Sequence, residues 1–206
     1  MKNIKAVIFD CDGVLFDTVK ANQAYYNFIL SHFKKPSMDD EQFKYAQMHT
    51  AENSVDYLFP NEDEQTEAKE FRNEMSYKPF IKYMVIEPYL KEILKWLKPN
   101  YKIAIATNRT DTMGDVLSAY KLEEYFDMVV TALDVVNPKP SPEPLEKIID
   151  YFNISPYEAI FIGDSELDEK SAKSAKVIFA AYNNPNLAMA DFYITNLLEI
   201  KDILAG

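Results

Sequence analysis

Short apolar runs that stop abruptly at polar clusters constrain this chain more than any other feature. Ala6–Phe9 runs into Asp10, Ile103–Ala106 into Thr107 and Ile160–Ile162 into Gly163-Asp164, and Met128–Thr131 and Val177–Ala181 are of the same kind. A weaker run, Phe192–Thr195, adds an edge strand to the expectation. Continuous apolar stretches of this length suit strands covered on both faces, as in a parallel sheet. Helical patterns lie between them. Leu90, Ile93, Leu94 and Leu97 share one helix face ahead of Pro99-Asn100, and Thr112–Tyr120, Pro142–Phe152 and Glu166–Lys176 supply three further helices. Such alternation predicts an α/β fold, a doubly wound parallel sheet of Rossmann-like kind.

Residues 18–86 break that rhythm. They hold no convincing strand, and Val19–Phe33, Asp39–His49, Ala51–Phe59 and Asn61–Tyr83 read as helices, with breaks at Lys35-Pro36-Ser37, Thr50 and Pro60-Asn61. The expected organisation is a core of residues 1–17 and 87–206 carrying a small α-helical insertion over 18–86. A length of 206 residues suits one such domain.

Charge and composition narrow the function. A formal net charge of −11 argues against a nucleic-acid partner, which needs a basic footprint. It also repels anionic substrates at long range, so any such substrate needs local cations. The single cysteine, Cys11, excludes a disulfide framework and suits a reducing compartment. With two histidines beside it, a zinc site is disfavoured, whereas abundant carboxylates suit Mg²⁺. No apolar stretch approaches membrane-spanning length, and the charge-flanked run near the first residue is too short for a signal-peptide core. The expectation is a soluble, cytoplasmic protein without a membrane or nucleic-acid partner.

Open α/β sheets bind ligands beyond the carboxyl ends of their strands. Those ends carry Asp10-Cys11-Asp12, then Thr107-Asn108-Arg109, then Lys139, then Gly163-Asp164-Ser165 with Asp168. Carboxylates so gathered raise one another's pKa, a cost that a bound cation relieves. In an extended segment Asp10 and Asp12 point the same way, although Gly13 signals a turn there. Two carboxylates in unlike surroundings can divide into a nucleophile and a proton carrier. Only four glycines occur in the chain, and Gly13 and Gly163 both flank these aspartates, which predicts unusual backbone at both.

Four motifs in order, Asp10-Cys11-Asp12-Gly13-Val14-Leu15-Phe16-Asp17-Thr18, Thr107-Asn108, Lys139-Pro140 and Gly163-Asp164-Ser165 with Asp168, make the chain resemble the haloacid dehalogenase superfamily, in its phosphatase branch with a helical cap after the first strand. The resemblance implies that Asp10 attacks a phosphoryl group to give an aspartyl-phosphate, while Asp12 protonates the leaving oxygen and later activates water. It implies that Mg²⁺ is held by the Asp10 and Asp164 carboxylates and the Asp12 backbone carbonyl, with Asp168 nearby. Thr107 and Lys139, with Asn108, would hold the phosphoryl oxygens of a small phosphorylated metabolite. Asp12 also argues against a true dehalogenase, because halide displacement needs no proton donor. In one departure, the small-residue run Ser171–Ala175 meets Lys176 where the family has glycine.

Other readings remain open at this level. Asp168 serves either the metal or the first turn of a helix, and Asn108 either substrate or a turn. Arg109 touches substrate or lies at the surface. Asp17-Thr18 suits a helix N-cap, Cys11 a small apolar filler, and His49 at a helix break is a specificity candidate. A phosphosugar mutase would use the same residues. A receiver-like signalling module is disfavoured by the insertion and by Asp12. The substrate and the oligomeric state, monomer or weak dimer, are not legible.

Overall fold

A computed structural model describes residues 3–48 and 51–205. His49 and Thr50 lie outside them. The chain divides into two compact units, Met1–Asp17 with Ile86–Gly206, and Thr18–Val85.

Along the chain the first unit begins with β1 (Ala6–Phe9). The second unit follows as α1 (Val19–His32), α2 (Asp40–Met48), α3 (Ala51–Leu58) and α4 (Glu62–Glu74). The first unit resumes with α5 (Leu90–Leu97), β2 (Lys102–Ala106), α6 (Met113–Tyr120), β3 (Met128–Val130) and α7 (Glu143–Phe152). It ends with β4 (Ala159–Gly163), α8 (Glu166–Ala175), β5 (Ile178–Tyr182), β6 (Phe192–Ile194) and α9 (Ile200–Ala205).

The six strands form one parallel sheet in the order β3-β2-β1-β4-β5-β6. That is the doubly wound order expected, with β6 at the edge. All four residues of β1 and all five of β4 are buried, which accounts for their unbroken apolar sequence. Leu90, Ile93, Leu94 and Leu97 of α5 are buried together, each contributing about 1.5–3 kcal/mol of transfer free energy. Leu145, Ile148 and Ile149 of α7 and Ala172 and Ala175 of α8 pack with Ile8, Phe161 and Phe179. Winding reverses between β1 and β4, where the crevice of such sheets lies. Phe9 stands level with Ile105 on one side and Ile162 on the other, so the residues that follow these three strands emerge at one edge.

The second unit packs Tyr26, Ile29, Leu30, Val55, Leu58, Phe59 and Ala68 into its own core. Two expectations need correction here. Asn61–Tyr83 is not one helix: α4 ends at Glu74, Met75 is extended (ψ 141°), and Lys78–Tyr83 forms a short 3₁₀ segment. Pro79 explains the break, since a helix through it would lose an N–H and drive the ring into the Met75 carbonyl. Asn61 does start α4, accepting from the Asp63 and Glu64 N–H groups at 2.9 and 3.2 Å. Thr18 precedes α1, but its side chain makes no cap; its hydroxyl accepts from Asn22 Nδ2 at 3.4 Å. The C-terminal helix α9 has no counterpart in the sequence-based expectation.

Candidate active site

The site lies in the first unit, at the carboxyl ends of β1, β2 and β4. Asp10 extends β1, donating its N–H to the Ile162 carbonyl at 2.9 Å, and is buried. Its Oδ1 accepts from the Cys11 N–H at 2.7 Å and from Lys139 Nζ at 2.9 Å. Beyond it the chain curls back. The Cys11 carbonyl accepts from the Leu15 and Phe16 N–H groups, and the Gly13 N–H donates to the Phe16 carbonyl. Gly13 takes φ +83°, and a Cβ there would stand 2.0 Å from Asp164 Oδ2. Glycine therefore serves twice, allowing the turn and the approach of Asp164. Gly163 differs from expectation: only space is at issue, because a Cβ there would lie 2.4 Å from the Asp168 Cβ.

Lys139 is held at both ends. Its backbone N–H donates to Asn108 Oδ1 at 3.0 Å, and its carbonyl accepts from Asn108 Nδ2 at 2.8 Å. Its ammonium reaches Asp10 Oδ1 and, at 2.5 Å, Asp168 Oδ1, and it lies 5.4 Å from the centre of the Phe161 ring. The second oxygen of Asp168 accepts from the Ser165 hydroxyl at 2.5 Å and the Ser165 N–H at 3.1 Å, closing a capping box at the start of α8. Both oxygens of Asp168 are thus engaged by protein groups. Thr107 is buried, and its hydroxyl oxygen accepts from the Arg109 N–H at 3.1 Å.

Asp10, Asp164 and Asp168 each place a carboxylate oxygen within 4.8 Å of the others. Burial, aided by the Asp168 and Asp12 charges against the opposing pull of Lys139, pushes Asp10 up to about 7. Burial and then the Asp10 and Asp168 charges push Asp164 up to about 8. Burial alone would lower Lys139, but the two carboxylates outweigh it and hold the ammonium above its usual value. Hard oxygen donors crowded at this cost fit a divalent cation.

Asp12 stands apart from that trio, and its carboxylate pairs with Arg109. Nη2 of Arg109 lies 2.5 Å from Asp12 Oδ1, and Nη1 donates to Thr112 Oγ1 at 3.1 Å. Arg109 is no surface residue: its side chain is 7% exposed, against 39% for Asp12. Cys11 is fully buried, and burial, then the Asp12 charge, push its thiol well above its usual value, as suits a filler. Sequence reasoning missed Asn184, whose Nδ2 donates to the Asp164 carbonyl at 2.8 Å and steadies that residue. Its only sequence signal was a polar cluster, Asn183-Asn184-Pro185, directly after β5. Glu143 was missed too; its carboxylate accepts from the N–H groups of Val136 and Asn137, both at 2.8 Å, just ahead of Lys139.

Comparison with known proteins bears on this geometry. Residues 7–182 match the family model described as haloacid dehalogenase-like hydrolase. The pyrophosphatase PpaX of Bacillus cereus (strain B4264) is 31% identical over 195 residues, spanning 86% of this chain and 82% of that protein. A solved HAD-superfamily hydrolase of subfamily IA, variant 1, from Geobacter sulfurreducens superposes with a TM-score of 0.88 at 38% identity, covering 98% of this chain and 97% of the other. A β-phosphoglucomutase from Clostridium difficile follows at 0.76 and 25%, covering 98% and 96%. The chain belongs to the haloacid dehalogenase-like hydrolases.

Proposed function

We propose that the protein is a Mg²⁺-dependent phosphohydrolase acting on small phosphorylated metabolites in the cytoplasm, with Asp10 as nucleophile. The observation that carries this reading is Asp10 itself. It sits at the point where the sheet reverses its winding, tied to Lys139 at 2.9 Å and crowded by Asp164 and Asp168.

An Asp10 oxygen attacks phosphorus, and the bond from phosphorus to the leaving oxygen breaks as Asp12 gives that oxygen its proton. Water then attacks the aspartyl-phosphate, Asp12 takes its proton, and the Asp10–phosphorus bond breaks to release phosphate. Lys139 and the Thr107 hydroxyl hold the phosphoryl oxygens while charge develops on them. The Asp10 and Asp164 carboxylates and the Asp12 carbonyl would hold Mg²⁺, which when bound offsets the charge of the carboxylates and the phosphoryl group. Asp168, with both oxygens spent on Lys139 and Ser165, serves mainly to aim that lysine. Asn108 does the same through the Lys139 backbone rather than touching substrate.

The PpaX relative acts, by its name, on pyrophosphate, and a phosphoryl leaving group suits the same chemistry. The solved mutase keeps a second reading in view, in which the phosphoryl group returns to a sugar. Phosphate release measured against isomerisation over a panel of phosphorylated metabolites separates the two. Asp10→Asn should abolish turnover of p-nitrophenyl phosphate in Mg²⁺ while circular dichroism shows an intact fold, and EDTA should silence the wild type. A D10N rate near that of wild type, or activity that survives exhaustive chelation, refutes the reading.

A further inference from the structure

The geometry points to Arg109 as a specificity residue that exchanges Asp12 for a second anionic group in the substrate's leaving portion, selecting diphosphates and short phosphorylated acids over esters with neutral leaving groups. This rests on the proposed phosphohydrolase reading, because that reading sets Asp12 beside the leaving oxygen.

Two cations serve the site, and they are not equivalent. Lys139, its side chain 3% exposed, lies between two carboxylates that are themselves 11% and 0% exposed. Arg109 is as deeply set, yet its carboxylate partner Asp12 is 39% exposed. The guanidinium is also anchored from behind. Nη1 donates to Thr112, which is 3% exposed, while the backbone N–H of Arg109 donates to Thr107 Oγ1 and fixes the main chain that carries it. An anchored, desolvated guanidinium facing an accessible anion is a preformed anion site whose present occupant is internal. A ligand anion can displace Asp12 there without dismantling the anchor, and the exchange uncovers Asp12 Oδ1.

Position then limits the ligand. Asp12 Oδ1 lies 2.5 Å from Nη2, so an anion that takes its place stands a few bonds from the leaving oxygen that Asp12 serves. The second phosphoryl of a diphosphate and the carboxylate of a two-carbon phospho acid both fit. In a chain of net charge −11, such a local cation is needed before a doubly anionic substrate is preferred to a singly anionic one.

The test compares 2-phosphoglycolate with ethyl phosphate, which differ by carboxylate for methyl, and adds inorganic pyrophosphate. Wild-type kcat/KM should favour phosphoglycolate by about 10- to 100-fold, the worth of one charge-assisted contact. In Arg109→Ala that ratio should collapse toward unity, mostly through KM, and Arg109→Lys should restore part of it. Pyrophosphate should lose its advantage over ethyl phosphate in parallel. A ratio unchanged in R109A overturns the proposal, since a purely structural arginine lowers both substrates alike. A wild-type ratio near unity overturns it without any variant, whether or not R109A folds. If wild type releases phosphate from ethyl or p-nitrophenyl phosphate while the ratio fails, Arg109 is misassigned and the phosphohydrolase stands. If no phosphate ester is hydrolysed, both fall.

Discussion

Asn108 is the sharpest test of how the site is assembled. Replacing it with alanine removes an amide that donates to the Lys139 carbonyl at 2.8 Å and accepts from the Lys139 N–H at 3.0 Å. Each neutral hydrogen bond contributes about 0.5–1.5 kcal/mol net, and stranding a backbone group beside a buried lysine moves the sum toward the upper end, about 2–3 kcal/mol. For a chain of 206 residues, each kcal/mol corresponds to roughly 2–4 °C, so the melting transition should fall by about 4–12 °C. Released at its backbone, Lys139 drifts relative to Asp10, and a displacement on the order of 1 Å can cost about 100-fold in rate. Asn108→Ala should therefore lower kcat toward p-nitrophenyl phosphate by about 10- to 100-fold while KM changes less than about threefold. Thermal melting and steady-state kinetics on the same preparation read both quantities. An unchanged melting transition with KM raised tenfold and kcat intact would refute this reasoning and return Asn108 to the substrate.

Two further perturbations probe the scaffold. Lys176 ends α8 at φ +59°, a left-handed conformation that costs a side chain about 1–2 kcal/mol; Lys176→Gly should raise stability by a net of about 0.5–1 kcal/mol, read as a later urea midpoint, because glycine returns part of that gain as chain entropy. Backbone N–H groups of Val136 and Asn137 hold Glu143 below the ordinary value of 4.5, so its ionised form stabilises the fold above that pH, and the contribution is lost as pH falls through the depressed folded value. The difference in urea midpoint between wild type and Glu143→Gln should be full at neutral pH and shrink below 4.5, and a difference that does not vary with pH would contradict the assignment.

The centre of the sheet was legible because β1 and β4 are covered on both faces, so their sequences are uninterrupted apolar runs that end where the polar edge begins. The order of those ends along the chain then foretold which polar clusters would meet. What spacing does not reveal is the hydrogen bonding that closes between distant loops. Asn108 and Lys139 are 31 residues apart, and Arg109 and Asp12 are 97 apart. Nothing local marks Asn108 as a backbone clamp or Arg109 as the partner of a particular aspartate. Helical periodicity likewise carried Asn61–Tyr83 through Pro79, although the lost N–H ends the helix before it. Lys176 shows the converse. Where the family has glycine, Ala172 and Ala175 are buried and the backbone takes the left-handed turn with lysine in place.

Charge explains why these parts must act together. Asp10, Asp12, Asp164 and Asp168 face Lys139 and Arg109, so when all are ionised the carboxylates exceed the cations by two charges. One divalent cation would make up that excess, whereas a monovalent ion would leave the cluster anionic and hostile to a phosphoryl group. Charge balance in turn limits how the phosphoryl group is bound. Lys139 already serves Asp10 and Asp168, so it can only share its charge with the substrate's transferring oxygens. Any further negative charge on the substrate has to find a cation elsewhere. Arg109, bound to the most exposed of the three carboxylates that pair with these cations, is the one placed to supply it.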